Sequence, residues 1–308
     1  MQNHTSVYYI HTSPLKAEFV TTSKTKLSQS SINNTEPSLK SPSSIKMPAK
    51  ETELQEVSLA LRTARANKTP IPTPSKTWPT LDAEDGFKIQ QINTEHAVKN
   101  GDRLVGYKLG NIAKVMQDAF GLDHPDYGFL LASTFVYEST TLHLKDYIKP
   151  YVELEPAFVL HKPLKGPNVT VADVINAIDY AIPAIEIIDS RVQNWEIGLA
   201  DTLADNGSTG AVILGGTPRK LTELTLRDTR GTLRFNDKQV MDGNTANVLG
   251  NPISAVAWLV NRLAAYDIEF LPGQVILPGS CLQAVPMTEA GHWNCTFEGW
   301  GSVEFDVV

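Results

Sequence analysis

Two glutamates stand two residues apart in Tyr151-Val152-Glu153-Leu154-Glu155, and a third acid, Glu186, sits among isoleucines in Pro183-Ala184-Ile185-Glu186-Ile187-Ile188-Asp189. Both runs are rich in β-formers. On a strand, an i, i+2 spacing sends both carboxylates to the same face. A fold that turns such a face inward must neutralise it, because an unpaired buried carboxylate is costly and crowding several is worse. A divalent cation would do so, and oxygen-only ligation favours Mg²⁺ or Mn²⁺ over zinc. The alternative is a solvated sheet face on which the same glutamates make ordinary ion pairs.

The rest of the chain narrows the possibilities. Its 308 residues, 42% hydrophobic, can bury a large core in one or two domains. A net charge of −7 argues against nucleic-acid binding as the main role. Cys281 and Cys295 are too few for a disulfide framework or a cysteine zinc site, so a reducing compartment is expected. No run of about 18 apolar residues suggests a membrane span.

Composition changes near residue 50. Residues 1–49 are rich in Ser, Thr, Asn and Lys, with Pro14, Pro37, Pro42 and Pro48, and read as a disordered extension. Their basic character gives a mitochondrial presequence as an alternative to a solvated tail on a cytoplasmic protein, although the segment has no arginine. Residues 50–308 are expected to form a single catalytic domain, helical over 50–100 and β-rich over 101–308.

Helices are expected over Glu53–Ala66 and Ala83–Asn100, and a strand over Leu104–Leu109. Thr170-Val171-Ala172-Asp173 reads as a capping box opening a helix to about Tyr180, with Pro183 ending it. Asn251-Pro252 opens another, with Ile253, Val256, Ala257, Val260, Leu263 and Ala264 on one stripe. Ala211–Leu214, Val275–Leu277, Trp293–Phe297 and Ser302–Val307 read as strands, the last two joined as a hairpin through Gly299 and Gly301.

Several segments, taken in order, resemble one family. They are Gly106-Tyr107-Lys108-Leu109-Gly110, His124-Pro125-Asp126-Tyr127-Gly128, Glu153-Leu154-Glu155, Ile182 to Arg191, Ala204-Asp205-Asn206-Gly207-Ser208, Gly250-Asn251-Pro252, and Gly273 to Ser280. From about residue 54 onward the chain is similar to the 2-hydroxy-2,4-dienoate hydratase and 4-oxalocrotonate decarboxylase family, within the fumarylacetoacetate hydrolase superfamily. The resemblance implies an α+β fold, a mixed β-roll with peripheral helices. It implies Mg²⁺ or Mn²⁺ held by Glu153, Glu155 and Glu186, and a small 2-keto or 2-hydroxydienoic acid as substrate. It also implies a homo-oligomer, to which the apolar strand residues Val303, Phe305 and Val307 could contribute unless they pack within the chain.

By the same resemblance Lys108 binds the substrate carboxylate or, with a lowered pKa, moves protons, and Asp126 acts as acid or base. Asp205 lies in the pocket or just behind it, and Ser280 hydrogen-bonds a substrate oxygen. From the residues alone, Lys108 could equally be a surface lysine, Asp126 and Asp205 turn residues, Ser280 a strand terminator, and His124 an exposed turn histidine. Three departures flank the expected site: Ile112 where a Ser or Thr is common, Pro150-Tyr151 where the family has Pro-Arg, and Pro156 where it has an apolar β-former. Proline at that point implies an edge, a strand end or a bulge.

The expected reaction is hydration of a 2-hydroxy-2,4-dienoate to a 4-hydroxy-2-oxo acid, as in meta-cleavage aromatic catabolism. Decarboxylation of a 2-oxo-3-enedioate is the alternative. A keto-enol tautomerase of the same superfamily is a further alternative, and hydrolytic C–C cleavage ranks third, since the related hydrolases carry a His and a Glu on a lid helix and Asn111–Asp118 contains neither. A metal-free scaffold is the non-enzymatic alternative.

Overall fold

Two long neighbouring strands organise the fold. A computed structural model of the protein describes residues 49–112 and 124–308. The expected extension lies outside the described residues apart from Ala49, and the segment Asn111–Asp118 lies outside them beyond Ile112. The strands are β1 (Leu104–Gly110), β2 (Asp126–Leu131), β3 (Phe135–Val136), β4 (Thr141–Leu142), β5 (Tyr151–Leu160), β6 (Ile178–Ile188), β7 (Thr209–Leu214), β8 (Arg230–Phe235), β9 (Lys238–Asn244), β10 (Val275–Leu277), β11 (Val285–Pro286), β12 (Gly291–Phe297) and β13 (Gly301–Val307). One mixed sheet runs β2-β1-β10-β5-β6-β7-β3, with β11 also pairing β5. The second runs β4-β13-β12-β8-β9. β5 and β6, the central antiparallel pair of the first sheet, are buried along most of their length.

In the second sheet β12 and β13 alternate buried and exposed positions, the period of a half-buried antiparallel strand. Val303, Phe305 and Val307 point inward with Trp293, Cys295 and Phe297, and β13 packs towards β6. These residues therefore serve the chain's own core and lend no support to an oligomer contact.

The helices lie outside the sheets. Asp82 and Asp85 cap the helix Ala83–Lys99 reciprocally. The helix Pro252–Leu263 buries Ile253, Val256, Leu259, Val260 and Leu263, each such burial contributing about 1.5–3 kcal/mol. No helix among the described residues is long and apolar enough to cross a membrane.

Two sequence expectations fail around proline. Thr170 and Asp173 do form their capping box, but the helix ends at Ala177 and β6 begins at Ile178. Pro183 is therefore inside β6, directly opposite Pro156 of β5. Neither proline is at an edge. Backbone polar groups alternate direction along a strand, and the Leu154 carbonyl accepts from Cys281 N–H on the outer side of β5. Pro156 shares that direction, and no ladder covers it, because β10 meets β5 at Phe158–Val159 and β11 at Tyr151–Val152. The Pro183 carbonyl likewise faces Gly215, just past the end of β7. Each missing N–H thus points where no strand needs a donor.

Gly106 sits where β1 and β10 run parallel and close. A Cβ there would lie 2.0 Å from the Val275 carbonyl oxygen, a backbone atom that cannot rotate away. Gly106→Ala is expected to lower stability by about 1–3 kcal/mol, the range of an overpacked core. Denaturant unfolding checks this, and an unchanged midpoint would contradict so tight a contact.

Candidate active site

The antiparallel register sets the site. Glu153 pairs directly with Glu186, and Glu155 with Ala184, so the three glutamates share one face of the β5–β6 pair. One carboxylate oxygen from each lies within 4.8 Å of the others. Glu155 Oε2 accepts a hydrogen bond from Gly279 N–H at 2.8 Å. Glu186 Oε1 accepts one from Thr209 Oγ1 at 2.9 Å. Glu186 Oε2 is buried and has no partner among the described residues. Glu153 opens into a cavity of about 800 Å³.

Such crowding is electrostatically unfavourable. Burial, and then Glu186, pushes Glu153 up to about 8. Burial, Glu186 and Glu153 push Glu155 well above the carboxylate range. Burial also raises Glu186, against the opposing pull of Lys108 and Thr209. An all-carboxylate donor set with an orphaned buried oxygen suits a hard divalent cation.

Lys108 comes from β1, with Nζ 3.6 Å from Glu186 Oε1 and 2% of the residue exposed. Burial alone would lower its pKa, but Glu186, Asp126, Glu153 and Glu155 outweigh it and raise the ammonium above its ordinary value. The lowered pKa considered from the sequence is thus not found: Lys108 is held as a cation. Asp126 opens β2 opposite Gly110. Its Oδ2 accepts from Thr202 Oγ1 at 2.5 Å and Asn111 Nδ2 at 2.8 Å, while its buried Oδ1 has no partner among the described residues. Gly110 and Gly207 leave room for this pair. A Cβ on Gly110 would stand 2.2 Å from Asp126 Oδ1, and one on Gly207 would stand 2.5 Å from Lys108 Cε.

Two expected contacts are placed differently. Asp205 does not line this cavity. It is buried with Arg191 Nε at 2.6 Å and the hydroxyls of Ser190 and Ser208 at 3.0 and 2.9 Å. Its charge is used to fix the loop that carries Ser208, which does line the cavity. Ser280 is at the cavity wall, but its hydroxyl donates to the Leu282 and Leu154 carbonyls at 2.9 and 3.3 Å. As a donor it is committed to the backbone. His124 is outside the lining and its Nδ1 lies 2.7 Å from the Pro125 carbonyl.

Thr202, Thr209 and the Gly279 N–H had no sequence signal. Each is an ordinary turn, strand or helix residue until the fold sets it beside a carboxylate. Tyr151, Ile188, Trp195, Ile197, Met241 and Leu282 give the rest of the lining its apolar character.

The raised carboxyls give a pH dependence. Unfolded, Glu153 releases its proton near 4.5, whereas folded it does so near 8. Between these values the unfolded chain binds fewer protons, so stability falls as pH rises through that window. Lys108 is raised as well, so its contribution is lost only at strongly alkaline pH. In the presence of a chelator the melting temperature of the wild type should therefore fall more steeply between about pH 5 and 8 than that of Glu153→Gln. Parallel slopes would rule out this charge burden.

Comparison with known proteins agrees with the geometry. Residues 91–308 match the fumarylacetoacetate (FAA) hydrolase C-terminal family. A 2-oxo-hept-4-ene-1,7-dioate hydratase of Escherichia coli is 38% identical over 232 residues, spanning 73% of this chain and 87% of the relative. A 2-keto-4-pentenoate hydratase of Burkholderia vietnamiensis is 36% identical over 253 residues, 82% of this chain and 97% of the relative. A solved 4-oxalocrotonate decarboxylase from Pseudomonas putida G7, complexed with magnesium and adipate, superposes with a TM-score of 0.82 at 30% identity, covering 85% of this chain and all of that one. With a matched core that takes in β1, the Glu153–Glu186 face and the C-terminal hairpin, the chain belongs to the fumarylacetoacetate hydrolase family.

Proposed function

We propose that the protein is a divalent-metal-dependent hydratase that adds water to a 2-hydroxy-2,4-dienoate, giving a 4-hydroxy-2-oxo acid. The observation that carries this reading is the convergence of Glu153, Glu155 and Glu186 on one point beside Lys108 and Asp126. Curated hydratases at 36–38% identity support it. Glu153, Glu155 and Glu186 would hold Mg²⁺ or Mn²⁺. Bound there, the cation would orient the 1-carboxylate and 2-oxygen and stabilise the negative charge that develops on them.

The side chains around the cavity divide the proton work. The dienol is first ketonised, the 2-hydroxyl proton leaving as C5 gains one, which gives a 2-oxo-3-enoate; the Lys108 ammonium would offset its carboxylate and return a proton to C3 in the hydration that follows. Asp126 Oδ1, left free while Thr202 and Asn111 hold Oδ2, accepts the proton released as water bonds to C4. A proton returned from Asp126 to Lys108 restores both groups. The apolar wall excludes bulk water from the conjugated chain. Buried free thiols at Cys281 and Cys295 fit a reducing compartment such as the cytoplasm. A homo-oligomer remains part of this reading through the family resemblance.

Decarboxylation of a 2-oxo-3-enedioate is the second reading, favoured by the 30% identical decarboxylase fold. Turnover of a 2-hydroxy-2,4-dienoate in ¹⁸O-labelled water separates the two. Label in a new 4-hydroxyl of a 2-oxo acid supports hydration. An unhydrated dienoate, together with CO₂ released from the enedioate, would establish the decarboxylase instead.

A further inference from the structure

The face that carries the glutamates changes character within one step. Tyr151 pairs directly with Ile188, and this pair lies two residues along from the Glu153–Glu186 pair on the same face. That separation is about 7 Å along the strands. A substrate whose keto-acid head sits over the glutamates and whose chain runs along β5 would therefore lay its tail on Tyr151 and Ile188. Ile197 and Leu282, both 8% exposed, continue this wall.

Trp195 closes the wall in an unusual way. Asn194 and Trp195 both have positive φ, 57° and 58°. A bulky residue rarely adopts this conformation, which persists only where its surroundings over-determine it. Here Trp195 Nε1 donates to the Lys149 carbonyl at 3.2 Å, and the indole meets Tyr151 edge-on, with ring centroids 5.3 Å apart and planes at 85°. The strained turn thus fixes an aromatic corner at the distal end of the cavity.

The charges around the cavity point the same way. Among the described lining residues the cationic side chain is Lys108, which lies with the glutamates at the head end. Asp242 is also in the lining, exposed and paired with Arg230. Arg230 is already shared between Asp242 at 3.2 Å and Glu298 at 4.0 Å. A terminal carboxylate laid on the Tyr151–Ile188 wall would be desolvated against apolar side chains with no free cation among the described lining residues to pair it, which is costly. The cavity volume, about 800 Å³, lies in the range that encloses drug-sized ligands and far exceeds the needs of a five-carbon acid.

We propose that the Tyr151–Ile188–Trp195 wall is a tail subsite selecting 2-hydroxydienoates with a long uncharged apolar or aryl substituent and rejecting those with a terminal carboxylate. This deepens the hydratase reading and rests on its placement of the head group. The test is calorimetric titration of the full-length, Mg²⁺-saturated protein with saturated, unreactive 2-oxo acids. The series is 2-oxopentanoate, 2-oxoheptanoate, 2-oxo-6-phenylhexanoate and 2-oxoheptanedioate.

The phenyl acid is expected to bind at least roughly tenfold tighter than 2-oxopentanoate, the scale of an apolar tail buried against aromatic rings. The heptanedioate is expected to bind more weakly than 2-oxoheptanoate. Trp195→Ala should erase most of the phenyl advantage and Trp195→Phe should keep it. Equal or tighter binding of the dicarboxylate, or a phenyl advantage untouched in Trp195→Ala, would overturn the proposal. Should Trp195→Ala fail to fold, the wild-type ratios decide alone. The same tails on reactive dienoates separate this inference from the hydratase reading. Labelled product with no tail preference rejects the subsite only. Retained tail preference in binding, with no labelled product, rejects the hydratase reading only.

Discussion

Glu153→Ala/Glu155→Ala is expected to abolish measurable Mg²⁺ and Mn²⁺ binding and to remove turnover with it. Two of the three converging carboxylates are lost, so the effect should exceed the roughly 10–100-fold cost of losing an outer hydrogen-bond partner of a metal site. Loss of Thr209, which donates to Glu186, falls in that smaller class. Binding and rate should decline together, because a cation that positions the substrate also polarises it. Unfolding would not explain the loss. In the cation-free protein the two carboxyls are held far above their ordinary pKa by burial and by the neighbouring Glu186, so deleting them should leave the cation-free fold at least as stable. Titration calorimetry and melting curves on the same preparations make the comparison, and wild-type affinity in the double variant would refute a cation site here.

Lys108→Met and Asp126→Asn are expected to depress kcat by about 10²–10⁴-fold, the usual contribution of a positioned acid or base, while the cation stays bound. The Asp126 change is nearly isosteric but inverts one contact. Thr202 and Asn111 both donate to Oδ2, which fixes the amide oxygen of an Asn there. Its NH₂ then takes the place of Oδ1, facing the Lys108 ammonium and offering a donor where an acceptor stood. Lys108→Met keeps an unbranched side chain, one atom shorter, and removes the charge 3.6 Å from Glu186. Steady-state kinetics at saturating Mg²⁺ should put the loss in kcat. A loss confined to KM would make both groups binding residues only.

The sequence disclosed those parts of the site that follow from local periodicity. Glu153 and Glu155 share a face because a strand alternates, and Thr170 and Asp173 cap their helix because an i, i+3 pair closes a box. What depends on register could not be read in the same way. Nothing in Ile185-Glu186-Ile187 says that Glu186 lies opposite Glu153 rather than one residue away, and one step would have turned it to the other face. Asp205 shows the converse. It sits in a run that resembles the family, yet its carboxylate is consumed by Arg191 and two serines, a network built from the turn that brings those residues together. The expectation for proline fails because its constraint is directional. The rule that removes it from strand centres assumes a neighbour on the side of the missing N–H.

That direction matters beyond the reading of a strand. At Pro156 the outer side of β5 has a ladder to its left and right but none across the middle, and Gly279 and Cys281 reach through this interval to Glu155 and Leu154. A sheet ordinarily tends to heal such an interruption, since exposed donors and acceptors recruit any passing strand. With proline there, one of the donors needed for healing does not exist. The aperture is therefore secured by a covalent property of the backbone, and the surrounding side chains are free to vary in size and polarity without the sheet closing over its own catalytic floor.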